Sequence, residues 1–137
     1  MSAPAPDRAH RRLARIKTTM LVTDLGFLGY WVVTVLGMIS VGPDPLLQQW
    51  NWSFLGLDLA AIGLGLTGLA VGARARLSIP LITVSLALTA AAGLMALNFY
   101  VIRGEYDPMW WLPNLWLLCF PVVALVVLLR ATPRAVD

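Results

Sequence analysis

Four long apolar runs, at residues 19–40, 52–72, 79–102 and 110–129, leave this chain few ways to fold. Each is close to the ~20 residues that a helix needs to cross the hydrocarbon core of a bilayer. Inside that core every backbone N–H and C=O must be paired within its own segment, so such runs are helices. The predicted fold class is all-α: an integral membrane four-helix bundle, formed as a single transmembrane domain over residues 1–137. Charged residues make up only 12% of the chain, against about 25% in soluble domains. The stretches between the runs are too short to hold a soluble catalytic module.

The basic residues predict the orientation. Arg8, Arg11, Arg12, Arg15 and Lys17 precede the first run, Arg74 and Arg76 lie between the second and third, and Arg130 and Arg134 follow the fourth. Nine of the ten thus fall on one side, with Arg103 alone on the other. The positive-inside rule then places both termini in the cytoplasm. A net charge of +3 reflects this topology and contact with anionic lipid; the basic residues flank spans and form no separate nucleic-acid-binding domain. The first run follows a basic stretch, as a signal peptide's would, but it is longer than a usual signal core, carries Asp24 and lacks a clear cleavage site, so it reads as retained. The lone Cys119 permits no disulfide within one chain, and His10 in the polar tail has no companions for a metal site.

Residues 1 to about 17, rich in Ala, Pro and Arg, are expected to be mobile until they meet the interface. Gly42, Pro43, Asp44 and Pro45 give the segment 41–51 the composition of an external turn. The short stretch 72–78 makes spans two and three an antiparallel hairpin, and 103–109 is a polar external loop. Small residues crowd span two (Gly56, Ala60, Ala61, Gly63, Gly65, Gly68) and span three (Ala87, Ala90, Ala91, Ala92, Gly93, Ala96), which permits close helix approach. The two halves carry no repeat of the kind that marks inverted-repeat transporters.

Two carboxylates, Asp24 and Asp58, interrupt this apolar chain. A carboxylate at the bilayer centre costs roughly 2.5–3.5 kcal/mol on insertion scales, so such a residue faces the bundle interior or a cavity. Asn51, Phe54 and Asp58 share a helix face by i, i+3, i+7 spacing, with Asp58 about 9 Å below the external end of its span. Asn98, Tyr100 and Asn114 fall in the same external half, beneath Arg103, Glu105 and Asp107. Asp24 stands apart, toward the cytoplasmic start of span one, where a structural pairing with Arg74 or Arg76 is expected. Tyr30, Trp31 and Thr34 carry the polar face of that helix toward the external half.

Trp50, Trp52, Trp110 and Trp111 all sit at the external interface. An aromatic belt accounts for much of this, yet the cytoplasmic interface has no Trp. The alternative is an aromatic chamber around a buried acid. An apolar site favours the neutral carboxylic acid, which can donate a proton. Cation–π contacts with the rings then contribute ~0.5–2 kcal/mol each to a carbocation formed beside them. On this reading Asp58 is the first choice as catalytic acid and Asp24 the second. Tyr30, Trp31, Asn51, Trp52, Phe54, Asn98, Tyr100, Trp110, Trp111 and Asn114 line the substrate site.

Three motifs carry a resemblance. They are Thr23-Asp24-Leu25-Gly26-Phe27 through Tyr30-Trp31, Trp50-Asn51-Trp52-Ser53-Phe54 through Leu57-Asp58-Leu59, and Trp110-Trp111-Leu112-Pro113-Asn114-Leu115. Together they resemble the YvaD-like family of small bacterial four-span membrane proteins, over all four spans. More loosely, the Trp-Asn-Trp with its following acid is similar to membrane-bound terpene cyclases, both fungal meroterpenoid enzymes and drimentine-type enzymes of actinomycetes. That similarity implies protonation-initiated cyclisation of a prenylated substrate such as a farnesylated indole, in the cell membrane and without a cofactor. The chain has no DDxxD-type motif for a Mg²⁺-bound diphosphate. The rival readings are a non-enzymatic accessory or lipid- or partner-binding membrane protein, and a small proton-linked transporter. A homo-oligomer is compatible with each.

Overall fold

The computed structural model describes residues 5–72 and 75–131. Five helices run in the order α1 (Ala5–Val35), α2 (Pro45–Ser53), α3 (Leu55–Ala70), α4 (Ser78–Arg103) and α5 (Pro108–Ala131), and there is no strand among the described residues. Four stretches are long and apolar enough to cross a membrane, with α2 and α3 forming one of them. The protein is a four-helix membrane bundle. Neighbouring helices are antiparallel, so α1 begins and α5 ends on one face, called here the tail face; the α1–α2 and α4–α5 connections lie on the opposite, loop face.

Two helices begin before the apolar runs do. Within the tail, among the described residues, α1 is helical from Ala5. Its sequence there is rich in Ala and Arg, both strong helix formers. At 31 residues α1 is about 46 Å long, more than the ~30 Å hydrocarbon core, so its basic first turns stand clear of it. The segment 41–51 is not all loop, because α2 starts at Pro45. Phe54, in αR conformation, closes α2 and opens α3. The chain passes through this joint with the Asp58 N–H still bonded to the Phe54 carbonyl at 2.9 Å.

Both loop-face connections use the same stop and start chemistry. Gly37 (φ 73°) and Gly104 (φ 67°) are left-handed. Beyond them Met38 N–H reaches Val33 O at 2.9 Å and Glu105 N–H reaches Tyr100 O at 3.0 Å, which satisfies the last carbonyls of α1 and α4. Asp44 and Asp107 then accept the N–H groups of Leu46 and Met109, each at 2.9 Å. A proline follows each of these aspartates at the first helical position, where no N–H is needed.

The helices pack in the sequence α1–α3–α4–α5, with extensive α3/α4 and α4/α5 seams and only a thin α1/α5 contact. A Cβ on Gly68 would lie 3.1 Å from the Ile82 backbone nitrogen, and one on Gly93 would lie 2.8 Å from both Asn114 O and Leu118 N. These two glycines therefore set the approach of α4 to its neighbours, whereas Gly56 and Gly63 face open space. Ser78 and Ser85 on α4 donate to the Gly68 and Ala61 carbonyls of α3 at 2.8 and 2.7 Å, the polar glue expected between helices in lipid. The apolar core of Met20, Ile82, Leu86, Ala124 and Leu128 lies in the tail half. Val22, Val32, Leu94, Leu112, Val123 and Leu129 point outward, as a lipid-facing surface requires.

Candidate functional site

The buried face of α1 carries Met20, Asp24, Trp31 and Thr34, and that of α3 carries Asp58, Ala61, Ile62, Gly65 and Gly68. Asp24 and Trp31 are seven residues apart, as are Asp58 and Gly65, so each pair stacks on one helix face. With the helices antiparallel, the seam has two rungs: Trp31 meets Asp58, and Asp24 meets Gly65. Two helical turns separate the rungs, about 10 Å at 1.5 Å per residue. The two acids therefore do not form a carboxylate dyad.

The Trp31–Asp58 rung is fully enclosed, each residue being 2% exposed. Trp31 Nε1 donates to Asp58 Oδ2 at 3.0 Å, while Asp58 Oδ1 has no hydrogen-bond partner among the described residues. Tyr30 packs edge-on to Trp31 at 5.3 Å and Trp52 lies 5.8 Å from it. Tyr30 Oη donates to Asn51 Oδ1 at 2.9 Å, tying α1 to α2 just above the acid.

A second aromatic group adjoins on the α2 and α4 side. Trp50 stacks on Phe99 at 4.1 Å and meets Phe54 and Tyr100 edge-on at 4.9 and 5.5 Å. Tyr100 is buried and its Oη, like Asp58 Oδ1, has no partner among the described residues. Arg103 closes the loop face above: its guanidinium lies 5.6 Å from the Phe99 ring centre and pairs with Glu105 at 2.8 Å and Asp44 at 3.5 Å.

Asp24 lies deeper than its expected place near the start of the first span. Its Oδ2 fills the space where a Gly65 Cβ would stand, beside Met20 and the Ser85 hydroxyl, and has no hydrogen-bond partner among the described residues. The expected pairing with Arg76 does not form, because Arg76 is exposed in the α3–α4 connection while Ser85 lies about 10 Å into α4. Arg74 lies outside the described residues.

The remaining expected site residues are placed elsewhere. Asn98 is exposed. Asn114 Nδ2 donates to the Trp110 carbonyl of its own helix at 2.8 Å. Trp111 donates to Glu105 O at 2.9 Å and packs on Tyr106 at 5.3 Å, and Trp110 is half-buried beside it. No ring contact or hydrogen bond among the described residues joins these four to the Asp58 group. Asp107 is a helix cap. Neither Phe99 nor Trp50 is among the expected site residues; the adjacent aromatic pair Phe99-Tyr100 at the end of a span is the available signal. Trp116, which donates to Thr23 Oγ1 at 3.2 Å across the thin α1/α5 seam, gave none. No group of His, Cys, Asp or Glu among the described residues is arranged to hold a metal ion.

Residues 16–135 match the model of a family described as a family of unknown function, DUF5360. The chain belongs to the DUF5360 family. The DUF5360 match takes in both acids, both aromatic groups and all four spans. The chain is also 34% identical to the uncharacterized protein YvaD of Bacillus subtilis (strain 168), covering 87% of this chain and 95% of the relative. No solved structure matches it. The resemblance to a YvaD-like family thus stands, while the looser likeness to terpene cyclases remains a matter of proposal.

Proposed function

We propose that this DUF5360 protein is a membrane-embedded acid catalyst, a terpene cyclase that closes rings on a prenylated small molecule such as a farnesylated indole. The single observation that carries the reading is the asymmetry of Asp58. Trp31 occupies Oδ2, so in the neutral acid the hydroxyl is Oδ1, and Oδ1 has no partner among the described residues. Its proton is left for a ligand. An acid kept neutral by an apolar site and aimed by a neighbour is a known solution for proton donation.

The chemistry balances as an isomerisation. Asp58 Oδ1–H gives its proton to the terminal alkene of the prenyl chain; the alkene π pair becomes the new C–H bond and leaves a tertiary carbocation. The π pair of an internal alkene then closes a C–C bond. Loss of a proton beside the final cation restores an alkene and returns the proton to the carboxylate. Trp31, Trp52 and Tyr30 are the rings near enough to stabilise the cation, by ~0.5–2 kcal/mol each. Asn51, held by Tyr30, orients water for the last proton. On this reading the protein is a multi-pass protein of the cell membrane, with the basic tail face in the cytoplasm and the acid toward the outer leaflet.

A second reading is favoured by the dispersal of Asn98, Trp110, Trp111 and Asn114 away from the acid, and by the serine links between α3 and α4. In it the protein is a non-enzymatic membrane accessory, and the Trp31–Asp58 bond is a pin between α1 and α3. Membranes bearing the protein, incubated with a panel of farnesylated indoles, separate the two. Product that disappears in Asp58→Asn at equal expression supports the cyclase. Product that survives Asp58→Asn and disappears in Asp24→Asn moves the acid to the other rung. An absence of product across the panel favours the accessory reading.

A further inference from the structure

Tyr100, like Asp58, is a buried polar group in the loop-face half that ends without a partner. It is 2% exposed, and its hydroxyl has no hydrogen-bond partner among the described residues. The chain is described without a break on both sides of it, through α2 and α4. A buried tyrosine hydroxyl ordinarily finds a partner, and one left alone in a native site calls for an explanation such as a bound group. Its surroundings are rings. Trp50 lies edge-on at 5.5 Å and Phe99 at 5.9 Å, with Phe54 edge-on to Trp50 at 4.9 Å.

The register of α4 on α3 measures how far this hydroxyl stands from the acid. Ser78 bonds to Gly68 and Ser85 to Ala61, so the same antiparallel pairing sets Leu88 level with Asp58. Tyr100 lies three further turns toward the loop face, about 18 Å of helix rise, with its side chain leaning back toward the acid. The gap is the length of a prenyl chain rather than of a head group. Between the two levels α4 turns Ala92 and Ala96 to the same face as Tyr100, both buried, so it puts no polar side chain on the path.

We propose that Tyr100 anchors the head of the ligand whose chain end reaches Asp58. The Tyr100 hydroxyl accepts the N–H of a flat aromatic head, an indole, and the farnesyl chain runs past Ala96 and Ala92 to the acid. The inference rests on the cyclase reading for the class of ligand, but not on turnover. A tyrosine hydroxyl has the acceptor lone pairs for such an N–H, and the rings of Trp50, Phe54 and Phe99 suit a planar head. Head and chain end are then held at opposite ends of one site. This arrangement brings the terminal alkene, rather than an internal one, to Asp58 Oδ1.

Equilibrium binding of 3-farnesylindole and of its N-methyl analogue to the full chain in detergent tests the proposal, with product formation followed separately. The parent indole is expected to bind about tenfold more tightly than the N-methyl compound, and Tyr100→Phe should bring the two to parity. Tyr106→Phe, at an exposed tyrosine of the same face, should keep the preference. Phenylalanine at 100 retains the ring and removes only an unpartnered hydroxyl, so the unfolding midpoint should not fall; a lowered midpoint would mean that the protein itself partners the hydroxyl, and overturns the proposal. Equal binding of the two indoles by the native protein overturns it as well, as does a preference that survives Tyr100→Phe. In those cases the cyclase reading still stands wherever product forms. A preference lost in Tyr100→Phe without product upholds the anchor and removes the cyclase. Binding of neither indole overturns both.

Discussion

Trp31 holds Asp58 from the facing helix through one 3.0 Å hydrogen bond, and among the described residues only one of the two carboxylate oxygens is used. Two substitutions separate the structural from the chemical part of this relationship. Trp31→Phe keeps a ring but removes the donor, leaving Oδ2 as orphaned as Oδ1; a buried polar atom without its partner costs about 1–3 kcal/mol. Asp58→Asn keeps an acceptor oxygen for the indole N–H and removes only the acid. Thermal unfolding in detergent should therefore show a clear loss for Trp31→Phe and a change within about 1 kcal/mol for Asp58→Asn. Equal destabilisation by the two would mean that the carboxylate, not the bond, holds the seam.

Gly65 gives the other rung its geometry. A Cβ there would collide with Asp24 Oδ2, with Met20 Cε and with the Ser85 hydroxyl, the last two at 2.7 Å. Gly65→Ala is expected to cost about 1–3 kcal/mol as overpacking. Because the obstruction includes the Asp24 side chain, Asp24→Ala should relieve part of it. A double-mutant cycle should then give a coupling of at least about 0.5 kcal/mol, as contacting residues do. Strictly additive effects would show that Asp24 does not occupy the space beside Gly65.

How far such features could be read in advance depends on what fixes them. The four spans were legible because apolar length bears directly on membrane crossing. The burial of Asp24 and Asp58 was legible from its cost. Their partners were not. The spacings 24/31 and 58/65 are visible along the chain, but which rung meets which depends on the α1/α3 register, set across 27 residues of separation by packing at both faces. The tryptophans show the same limit. Trp50 and Trp111 both fall at the loop-face end of a helix and look equivalent in sequence. Azimuth alone sends Trp50 onto Phe99 and Trp111 onto the Glu105 carbonyl. The α2 start at Pro45 was hidden for a different reason: Asp-Pro is both a turn signal and a helix start, and only the Leu46 N–H bonded to Asp44 distinguishes them.

The glycines of α3 and α4 offer a graded test of the packing. At Gly93 the obstruction is α5 backbone, at 2.8 Å, which cannot rotate aside. At Gly68 the nearest atoms are 3.0–3.1 Å away and include the Ile82 side chain. Gly63 meets nothing within 4 Å. Alanine should therefore destabilise most at 93, near or above the ~3 kcal/mol top of the usual overpacking range, and less at 68. At 63 it should stabilise by roughly 0.5–1 kcal/mol through helix propensity. Unfolding midpoints in one detergent rank the three, and a Gly93→Ala variant as stable as the parent would show that α4 and α5 do not meet at this point.

Orientation decides which leaflet the acid faces, and the charge distribution makes a firm prediction. With nine of the ten Lys and Arg at the tail face by sequence, a fluorescent protein fused after residue 137 should mature in the cytoplasm, and alkaline phosphatase inserted at Glu105 should be active outside. The single opposing cation is already engaged, since Arg103 pairs with Glu105 and Asp44, which leaves little free positive charge at the loop face. Replacing Arg12, Arg15 and Lys17 by Gln should then raise the fraction of inverted molecules. Adding two arginines at the loop face should act in the same direction, because the bias is a difference between faces and not a property of either one. If the phosphatase fusion at 105 is inactive and the one at 137 active, the acid–aromatic cluster faces the cytoplasmic leaflet, and a substrate would reach it from that side.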